Sequence, residues 1–289
     1  MNETRVVLLG AAGRMGLAIT RLLLGGTEPS LRLAAAVDRP GHPSAGADMG
    51  TLAGAGAPCG VALGTDLAAA LAGLDPAPSA EARVVAIDFS HHGAAPATAA
   101  ALSKAGVAWL LGTTGLTPEE SAAAAAAAER VPFLRAANMS LGVNLLAALV
   151  SQAATALKGK GYDIEIIEAH HRRKADAPSG TALLLGRAAA AGYGWPLDEV
   201  AVDGRTGTPG ARPEREIAFH AIRGGDIVGD HSVEFLAEGE MLTLSHRMTS
   251  RDTLAAGALR AAAWLGAEAR AAKAYTMADV LSLPPLNLA

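Results

Sequence analysis

A glycine-rich turn close to the N-terminus constrains the fold of this chain more than any other feature. Residues 5–9, RVVLL, form a short apolar run that is typical of a buried parallel strand. Residues 10–16, GAAGRMG, follow at once and run into a predicted helix over residues 15–24. A second predicted strand, residues 31–37, ends at Asp38. Together these segments make one βαβ unit of the usual length.

The same alternation continues through the first half of the chain. Further strands are predicted at residues 84–89, 107–111 and 132–135, with helices at 96–105 and 118–130. Strands that alternate with helices predict an α/β fold with a Rossmann-type, doubly wound parallel sheet. Residues 39–65, rich in Gly, Ala and Pro, are predicted to form a long excursion over the nucleotide crevice.

After Asn138 the pattern changes. Helices are predicted at residues 144–157, 181–191 and 253–268, and strands at 162–169, 215–223, 231–236 and 240–246. This order predicts an α+β region with a mixed or antiparallel sheet. The length of 289 residues suits about two domains, and 51% hydrophobic residues can fill two cores. Aromatic residues are only 3%, so alanine and leucine must do most of the packing.

Composition argues against several classes of protein. A net charge of −4 disfavours a general nucleic-acid binder, because phosphate neutralisation needs a basic face. The single cysteine, Cys59, excludes an intramolecular disulfide framework and favours a reducing compartment. No secretory or membrane-spanning segment is recognisable. The sequence therefore predicts a cytoplasmic protein with no nucleic-acid partner, no membrane partner and no metal.

The glycine turn is a candidate dinucleotide site. Its spacing is GxxGxxG rather than GxGxxG, but the demands are the same: a tight turn, close approach of the backbone to pyrophosphate, and a helix N-terminus aimed at negative charge. Asp38 lies where a carboxylate would bind the adenosine ribose, which favours NADH. Arg39 follows it and can bind a 2′-phosphate, which permits NADPH. The preference stays open, and an ordinary strand–turn–helix is the alternative.

Two further loops follow predicted strands, where ligands bind in open α/β sheets. They are residues 112–115, GTTG, and residues 136–139, AANM. Their small side chains allow backbone groups to approach a nicotinamide. Ordinary strand-to-helix turns are the alternative interpretation.

A cationic segment follows the predicted strand 162–169. Residues 168–182 read EAHHRRKADAPSGTA and place two histidines, two arginines and a lysine in consecutive positions. His170 is placed to donate a proton, because histidine is the side chain best suited to proton exchange near neutral pH. Lys174 supplies positive charge. The segment predicts a site for a small, multiply anionic substrate.

The start of the next predicted helix supports that interpretation. Ser179, Gly180 and Thr181 open the helix, so backbone N–H groups and hydroxyls face an incoming anion. Three alternatives remain for the cationic segment: a solvated run of charge, a nucleic-acid patch, and a metal site from His170, His171 and Asp176.

These motifs resemble those of one known family. EAHHRRKADAPSGTA, GAAGRMG, DFS at residues 88–90, GTTG, AANMSLGVN and GGDIVGDH occur in the order found in the 4-hydroxy-tetrahydrodipicolinate reductase (dihydrodipicolinate reductase) family. The similarity runs from about Arg5 to the C-terminus. It implies reduction of a cyclic dicarboxylate by NADH or NADPH in the diaminopimelate route to lysine. It also implies a homotetramer.

The resemblance implies a role for each matching residue. His170 would be the general acid, and Lys174 a second proton donor or a charge-stabilising group. His171, Ser179, Gly180 and Thr181 would bind substrate. The cofactor would be bound by Gly10, Ala11, Ala12, Gly13, Arg14, Met15, Asp38, Arg39, Gly112, Thr113, Thr114, Ala136, Ala137, Asn138 and Met139.

The resemblance also implies the domain plan. Residues 1–138 would form the dinucleotide-binding domain, residues 139–249 the substrate-binding and oligomerisation domain, and residues 250–289 would return to the first. Two positions depart from the family pattern: His91-His92 replaces a frequent basic residue, and Met139 replaces a frequent phenylalanine. A nicotinamide enzyme for another small carboxylic acid, or a nucleotide-sensing protein without activity, are the competing hypotheses.

Overall fold

Two β-sheets, each with its own hydrophobic core, organise the chain. The computed structural model describes residues 3–75, 77 and 83–285. One compact unit comprises the described residues up to Ser140 together with Asp252–Val280, and the other comprises Leu141–Arg251 with residues 281–285. Within the described ranges, no helix is both long and apolar enough to cross a membrane.

The first unit begins with alternating strands and helices. In chain order they are β1 (Thr4–Leu9), α1 (Arg14–Leu24), β2 (Leu31–Val37), α2 (Met49–Ala53), β3 (Leu63–Gly64), α3 (Leu67–Ala72), β4 (Val84–Asp88), α4 (Ala95–Ala105), β5 (Ala108–Leu111), α5 (Pro118–Ala125) and β6 (Phe133–Arg135). Their core has few aromatic residues. Trp109 is fully buried, with its ring 5.0 Å from that of Phe133, and small aliphatic side chains fill the rest.

The second unit is a sheet covered by two helices. Its elements are α6 (Leu141–Leu157), β7 (Asp163–His170), α7 (Gly180–Tyr193), α8 (Leu197–Val200), β8 (Ala201–Asp203), β9 (Ile217–Arg223), β10 (Gly229–Ala237) and β11 (Glu240–Met248). The strand order is β11-β10-β7-β9-β8; β10 is antiparallel to both of its neighbours, and β9 is parallel to both of its own. The mixed sheet predicted for this region is therefore confirmed. Alternate residues of β7 and β10, among them Ile166 and Val233, pack under α6 and α7.

The chain then returns to the first unit through α9 (Asp252–Gly266), β12 (Ala274–Tyr275) and α10 (Met277–Val280). The seven strands of the first sheet have the order β12-β6-β5-β4-β1-β2-β3, and every pair is parallel. The predicted doubly wound sheet is confirmed. The strand order reverses at β1, and ligands bind at the carboxyl ends of the strands on either side of such a switch point.

The structure refines several predicted boundaries. The helix predicted at residues 118–130 ends at Ala125 and continues as the 3₁₀ turn Ala126–Glu129, a common way for a helix to end. The predicted excursion 39–65 contains α2 and β3. Asp48 organises it by accepting hydrogen bonds from the N–H groups of Thr51, Cys59 and Gly60, a local network that composition could not reveal.

The division into units lies close to the predicted domain plan at the two junctions. The predicted boundaries fall at residues 138/139 and 249/250, whereas the units divide at Ser140/Leu141 and Arg251/Asp252. The plan placed the whole of residues 250–289 with the first unit, but residues 281–285 group with the second. No helix or strand follows α10 in the described part of the chain.

Candidate active site

Close backbone packing shapes the turn between β1 and α1. Gly10 has φ +69°, and a Cβ there would lie 2.5 Å from the carbonyl oxygen of Phe89. A Cβ at Gly16 would lie 2.4 Å from the carbonyl oxygen of Ala11, so only glycine lets α1 start this close to the strand. Among the described residues no side chain caps the start of α1 at Gly13. The first N–H groups of a helix can bind an anion, and the turn fits a dinucleotide pyrophosphate.

Asp38 connects the end of β2 to this turn. Its Oδ2 accepts a hydrogen bond of 2.9 Å from the N–H of Ala12, and its Oδ1 accepts one of 2.8 Å from the N–H of Arg39. Each carboxylate oxygen keeps a further lone pair for a ribose hydroxyl. The Arg39 side chain is exposed beside it.

A cleft of about 480 Å³ opens beside the glycine turn. The predicted cofactor residues that line it are Gly13, Arg14, Met15, Gly112, Thr113, Thr114, Ala137, Asn138 and Met139. Phe89, Ser90, His91, His92 and Leu254 complete the lining. The other predicted cofactor residues, Gly10, Ala11, Ala12, Asp38, Arg39 and Ala136, lie outside it.

A buried carboxylate supports one wall of the cleft. Asp88, at the end of β4, accepts hydrogen bonds from the N–H of Ser90 at 2.9 Å and from the indole N–H of Trp109 at 3.2 Å. Burial raises the pKa of Asp88, although these hydrogen bonds oppose the change. The Thr113 hydroxyl lies 3.2 Å from the carbonyl oxygen of Ser90, so the wall is a connected network.

The two histidines that depart from the family pattern lie in this wall. The rings of His91 and His92 are 4.1 Å apart. His92 Nδ1 is 2.8 Å from a carboxylate oxygen of Glu120, which also forms a capping box with Thr117 at the start of α5. Glu120 therefore fixes the ring of His92, and the ring of His91 lies next to it in the lining of the cleft.

In the second unit, His170 is held by a buried carboxylate. Glu168 and His170 are two residues apart on β7, so their side chains share one face of the sheet. His170 Nδ1 is 2.6 Å from Glu168 Oε2. Arg223, on the adjacent strand β9, donates from both terminal nitrogens to Glu168, at 2.6 and 2.7 Å. Burial would raise the pKa of Glu168, but the hydrogen bonds from Arg223 and His170 outweigh it and hold the pKa below its usual value.

The start of α7 is tied to the same carboxylate. The N–H of Ser179 donates to Glu168 Oε1 at 3.1 Å, while Ser179 Oγ accepts from the N–H of Ala182 and caps the helix. Ser179 Oγ is also 3.0 Å from Nε2 of the buried His231, on β10. The structure thus brings His170 and Ser179 together through Glu168 and His231, partners that the sequence did not identify.

The rest of the cationic segment has its own partners. Lys174 Nζ donates to both carboxylate oxygens of Asp176, at 2.7 and 2.9 Å, which lowers the pKa of Asp176. His171 Nε2 is 2.8 Å from a terminal nitrogen of Arg251. Partial desolvation and the charge of Arg251 lower the pKa of His171.

Four residues at this site were missed from the sequence: Glu168, Arg223, His231 and Arg251. The spacing of Glu168 from His170 on a strand was a usable signal, because residues two apart point the same way. The other three come from elements 50 or more residues away in sequence, and strand register alone brings two of them in.

Comparison with protein families decides the assignment. A model described as dihydrodipicolinate reductase, N-terminus, matches residues 4–139, and one described as dihydrodipicolinate reductase, C-terminus, matches residues 142–281. The chain belongs to the dihydrodipicolinate reductase family. It is accordingly an oxidoreductase that uses NADH or NADPH in lysine biosynthesis by the diaminopimelate route, and residues 4–139 carry its nucleotide-binding part.

Individual relatives agree over nearly the whole chain. The 4-hydroxy-tetrahydrodipicolinate reductase of Anaeromyxobacter dehalogenans strain 2CP-1 is 50% identical over 281 residues, which is 97% of this chain and 98% of that protein. The enzyme of the same name from Rhizobium meliloti strain 1021 is 46% identical over 285 residues, 98% of this chain and 100% of that protein.

A solved structure agrees in fold. Dipicolinate-bound dihydrodipicolinate reductase from Paenisporosarcina sp. TG-14 superposes with a TM-score of 0.70. The match covers 95% of this chain and 97% of that chain, at 22% sequence identity. At this identity the likeness supports the architecture alone.

Proposed function

We propose that this chain reduces 4-hydroxy-2,3,4,5-tetrahydrodipicolinate to 2,3,4,5-tetrahydrodipicolinate and water. The observation that carries the proposal is the setting of His170. Its Nδ1 is engaged by Glu168, so Nε2 is the ring nitrogen that remains to exchange a proton with a substrate. The nearby helix start supplies N–H groups for an anion, which suits a dicarboxylate.

The reaction divides between the cofactor and the chain. The 4-hydroxyl group leaves first, as water, together with a hydrogen of the neighbouring ring carbon. A nicotinamide held by the first unit would supply the hydride to ring C4. His170 donates a proton from Nε2 to the ring carbon that lies between C4 and the imine carbon. Lys174 acts as a second proton donor or stabilises the negative charge that builds up on the dianion.

The substrate carboxylates have candidate partners around α7. Ser179, Gly180 and Thr181 lie in its first turn, where backbone N–H groups point out of the helix. A Cβ at Gly180 would meet nothing within 4 Å, so the turn has room for a ligand. His171 is the further substrate contact.

The cofactor has its partners in the first unit. We propose that the glycine turn binds pyrophosphate, that Asp38 binds the adenosine ribose, and that the 112–115 and 136–139 loops contact the nicotinamide. Arg39 is the partner for a 2′-phosphate, so both NADH and NADPH are substrates.

An assembly and a location complete the proposal. We propose a cytoplasmic homotetramer whose contacts include the sheet face that α6 and α7 leave uncovered. Met241 and Ile222, on that face, are 63% and 53% exposed, high values for large apolar side chains. Light scattering should give four chains for the wild type and fewer for Ile222→Glu with Met241→Glu. An unchanged mass in that variant would contradict the role of this face.

The decisive experiment is oxidation of NADH and NADPH by the purified protein. The substrate is generated in the cuvette from pyruvate and aspartate semialdehyde by the preceding synthase. Synthase-dependent loss of absorbance at the nicotinamide wavelength supports the proposal, and the ratio of the two rates gives the cofactor preference. Tight binding of either cofactor without turnover would refute it and favour a reductase for another small carboxylic acid.

A further inference from the structure

On the basis of the function proposed above, we propose that Glu168, clamped by Arg223, is a positioning residue that fixes the proton-donating histidine and the anion-binding turn relative to each other. Neither residue is a substrate contact in the proposed reaction. Both act through His170 and Ser179.

The carboxylate of Glu168 is fully engaged. Oε1 accepts from a terminal nitrogen of Arg223 at 2.6 Å and from the N–H of Ser179 at 3.1 Å. Oε2 accepts from the other terminal nitrogen of Arg223 at 2.7 Å and lies 2.6 Å from His170 Nδ1. The Glu168 side chain has no solvent exposure. A carboxylate buried with four donors is held in one orientation, and so are the donors.

This orientation fixes the histidine tautomer. An ionised carboxylate only accepts hydrogen bonds, so His170 Nδ1 must carry a hydrogen. When His170 is neutral, its Nε2 therefore carries no hydrogen. When His170 is charged, both ring nitrogens carry one, and the proton that passes to the substrate is the one on Nε2. Gly229, the first residue of β10, keeps space beside this nitrogen: a Cβ there would lie 3.1 Å from Nε2, so any larger residue would crowd it.

Arg223 keeps Glu168 charged and connects it to the cationic loop. Its two-pronged contact is the geometry that guanidinium groups make best with carboxylates. The same guanidinium donates to the carbonyl oxygen of Asp176 at 2.7 Å. One ion pair thus joins the proton donor, the start of α7 and the loop that carries Lys174.

The substitution Glu168→Gln separates positioning from folding. The amide oxygen can occupy the Oε1 position, where it keeps the hydrogen bonds from one terminal nitrogen of Arg223 and from the N–H of Ser179, whereas the bond from the other terminal nitrogen of Arg223 to Oε2 is lost. The amide NH₂ then lies at the Oε2 position and donates to His170 Nδ1, which forces the proton of the neutral ring onto Nε2. We expect kcat to fall by about 10²-fold, which is the usual effect of losing a correctly oriented general acid. The KM for the substrate should change little.

The tautomer is measured directly on the resting protein. Nitrogen-15 spectra of histidine-labelled protein distinguish a protonated from a bare ring nitrogen, and the His170 signals are assigned by their loss in His170→Gln. We expect Nδ1–H in the wild type and Nε2–H in Glu168→Gln. Unchanged kcat or an unchanged tautomer in a folded Glu168→Gln protein would overturn the inference.

A matched control lies on the same strand. Glu165 also accepts from arginines and is 2.6 Å from a histidine, His220, but on the opposite face of the sheet. Glu165→Gln should lower Tm while kcat stays near the wild-type value. An equal loss of kcat in this control would show a general effect of removing a clamped carboxylate and would also overturn the inference.

A conservative variant covers failure of Glu168→Gln to fold. Glu168→Asp keeps the charge for Arg223 but withdraws the carboxylate from His170 by one methylene, so kcat should fall by less than in the glutamine variant. Wild-type kcat in Glu168→Asp would refute the positioning role. Absence of turnover in the wild type would refute the proposed function instead, and the tautomer measurement would still decide whether Glu168 orients His170.

Discussion

Acid should destabilise the second unit through a histidine that is buried without charge. His231 is 6% exposed, and its Nε2 lies 3.0 Å from the hydroxyl oxygen of Ser179. Its ring stands edge-on to that of His170, with centroids 5.0 Å apart. Burial, with the nearby charge of His170, lowers the pKa of His231 from 6.5 to about 4.

The direction of the effect follows from proton binding. The unfolded chain takes up a proton at His231 near pH 6.5, and the folded chain does so only near pH 4. The stability that comes from keeping this ring neutral is therefore complete above pH 6.5 and is lost as the pH falls towards 4. Linkage gives about 2 kcal/mol lost between pH 7 and pH 5 from this one group.

Urea unfolding at pH 7, 6 and 5 tests the magnitude. His231→Gln should be less stable than the wild type at pH 7, because it disturbs a buried contact, but its free energy of unfolding should fall by about 2 kcal/mol less between pH 7 and pH 5. Within this window Glu165 and Glu168, whose pKa values are lowered, stay ionised in the folded protein. Parallel losses in the two proteins would refute the assignment to His231.

Three further outcomes are expected. Lys174→Ala should lower kcat by about 10²-fold or more while the Kd for NADPH, measured by fluorescence titration, stays unchanged; a wild-type rate would remove Lys174 from the mechanism. Arg39→Ala should raise the KM for NADPH by about tenfold or more and spare that for NADH, because only the 2′-phosphate loses a charge-assisted hydrogen bond; equal effects on both cofactors would contradict this. Gly16→Ala should weaken binding of both cofactors and cost about 1–3 kcal/mol, because its Cβ would lie 2.4 Å from the carbonyl oxygen of Ala11; an unchanged Tm by calorimetry would contradict the close packing.

The nucleotide-binding half could be predicted because its signals are local. Each buried parallel strand is a short continuous apolar run, and right-handed βαβ connections leave few arrangements for the strands. Asp38 could be assigned to the same site as the glycine turn, because only one helix and one strand separate the two in sequence. The elements within residues 39–65 could not be predicted, because α2 and β3 are too short to show a hydrophobic periodicity in the sequence.

The second sheet shows where local signals end. Four of its five strands could be recognised one by one, the exception being the three-residue β8, but nothing in their composition says that β7 lies between β10 and β9. That order is set by which apolar faces pack under α6 and α7, a property of the whole unit. Arg223 is 55 residues from Glu168 in sequence and becomes its partner only once β7 and β9 pair in register. The return of α9 to the first unit is non-local in the same way.

One part of the site could nevertheless be approached from the sequence by physical argument. The predicted strand 162–169 stops one residue short of His170; extended by that residue, as the structure shows it, the strand places Glu168 and His170 on one face. A buried ionised carboxylate is costly unless it is paired or hydrogen-bonded, so partners for Glu168 were to be expected on that face. The structure identifies those partners as Arg223 and the N–H of Ser179, and the second of them fixes the start of α7 relative to the carboxylate that orients His170.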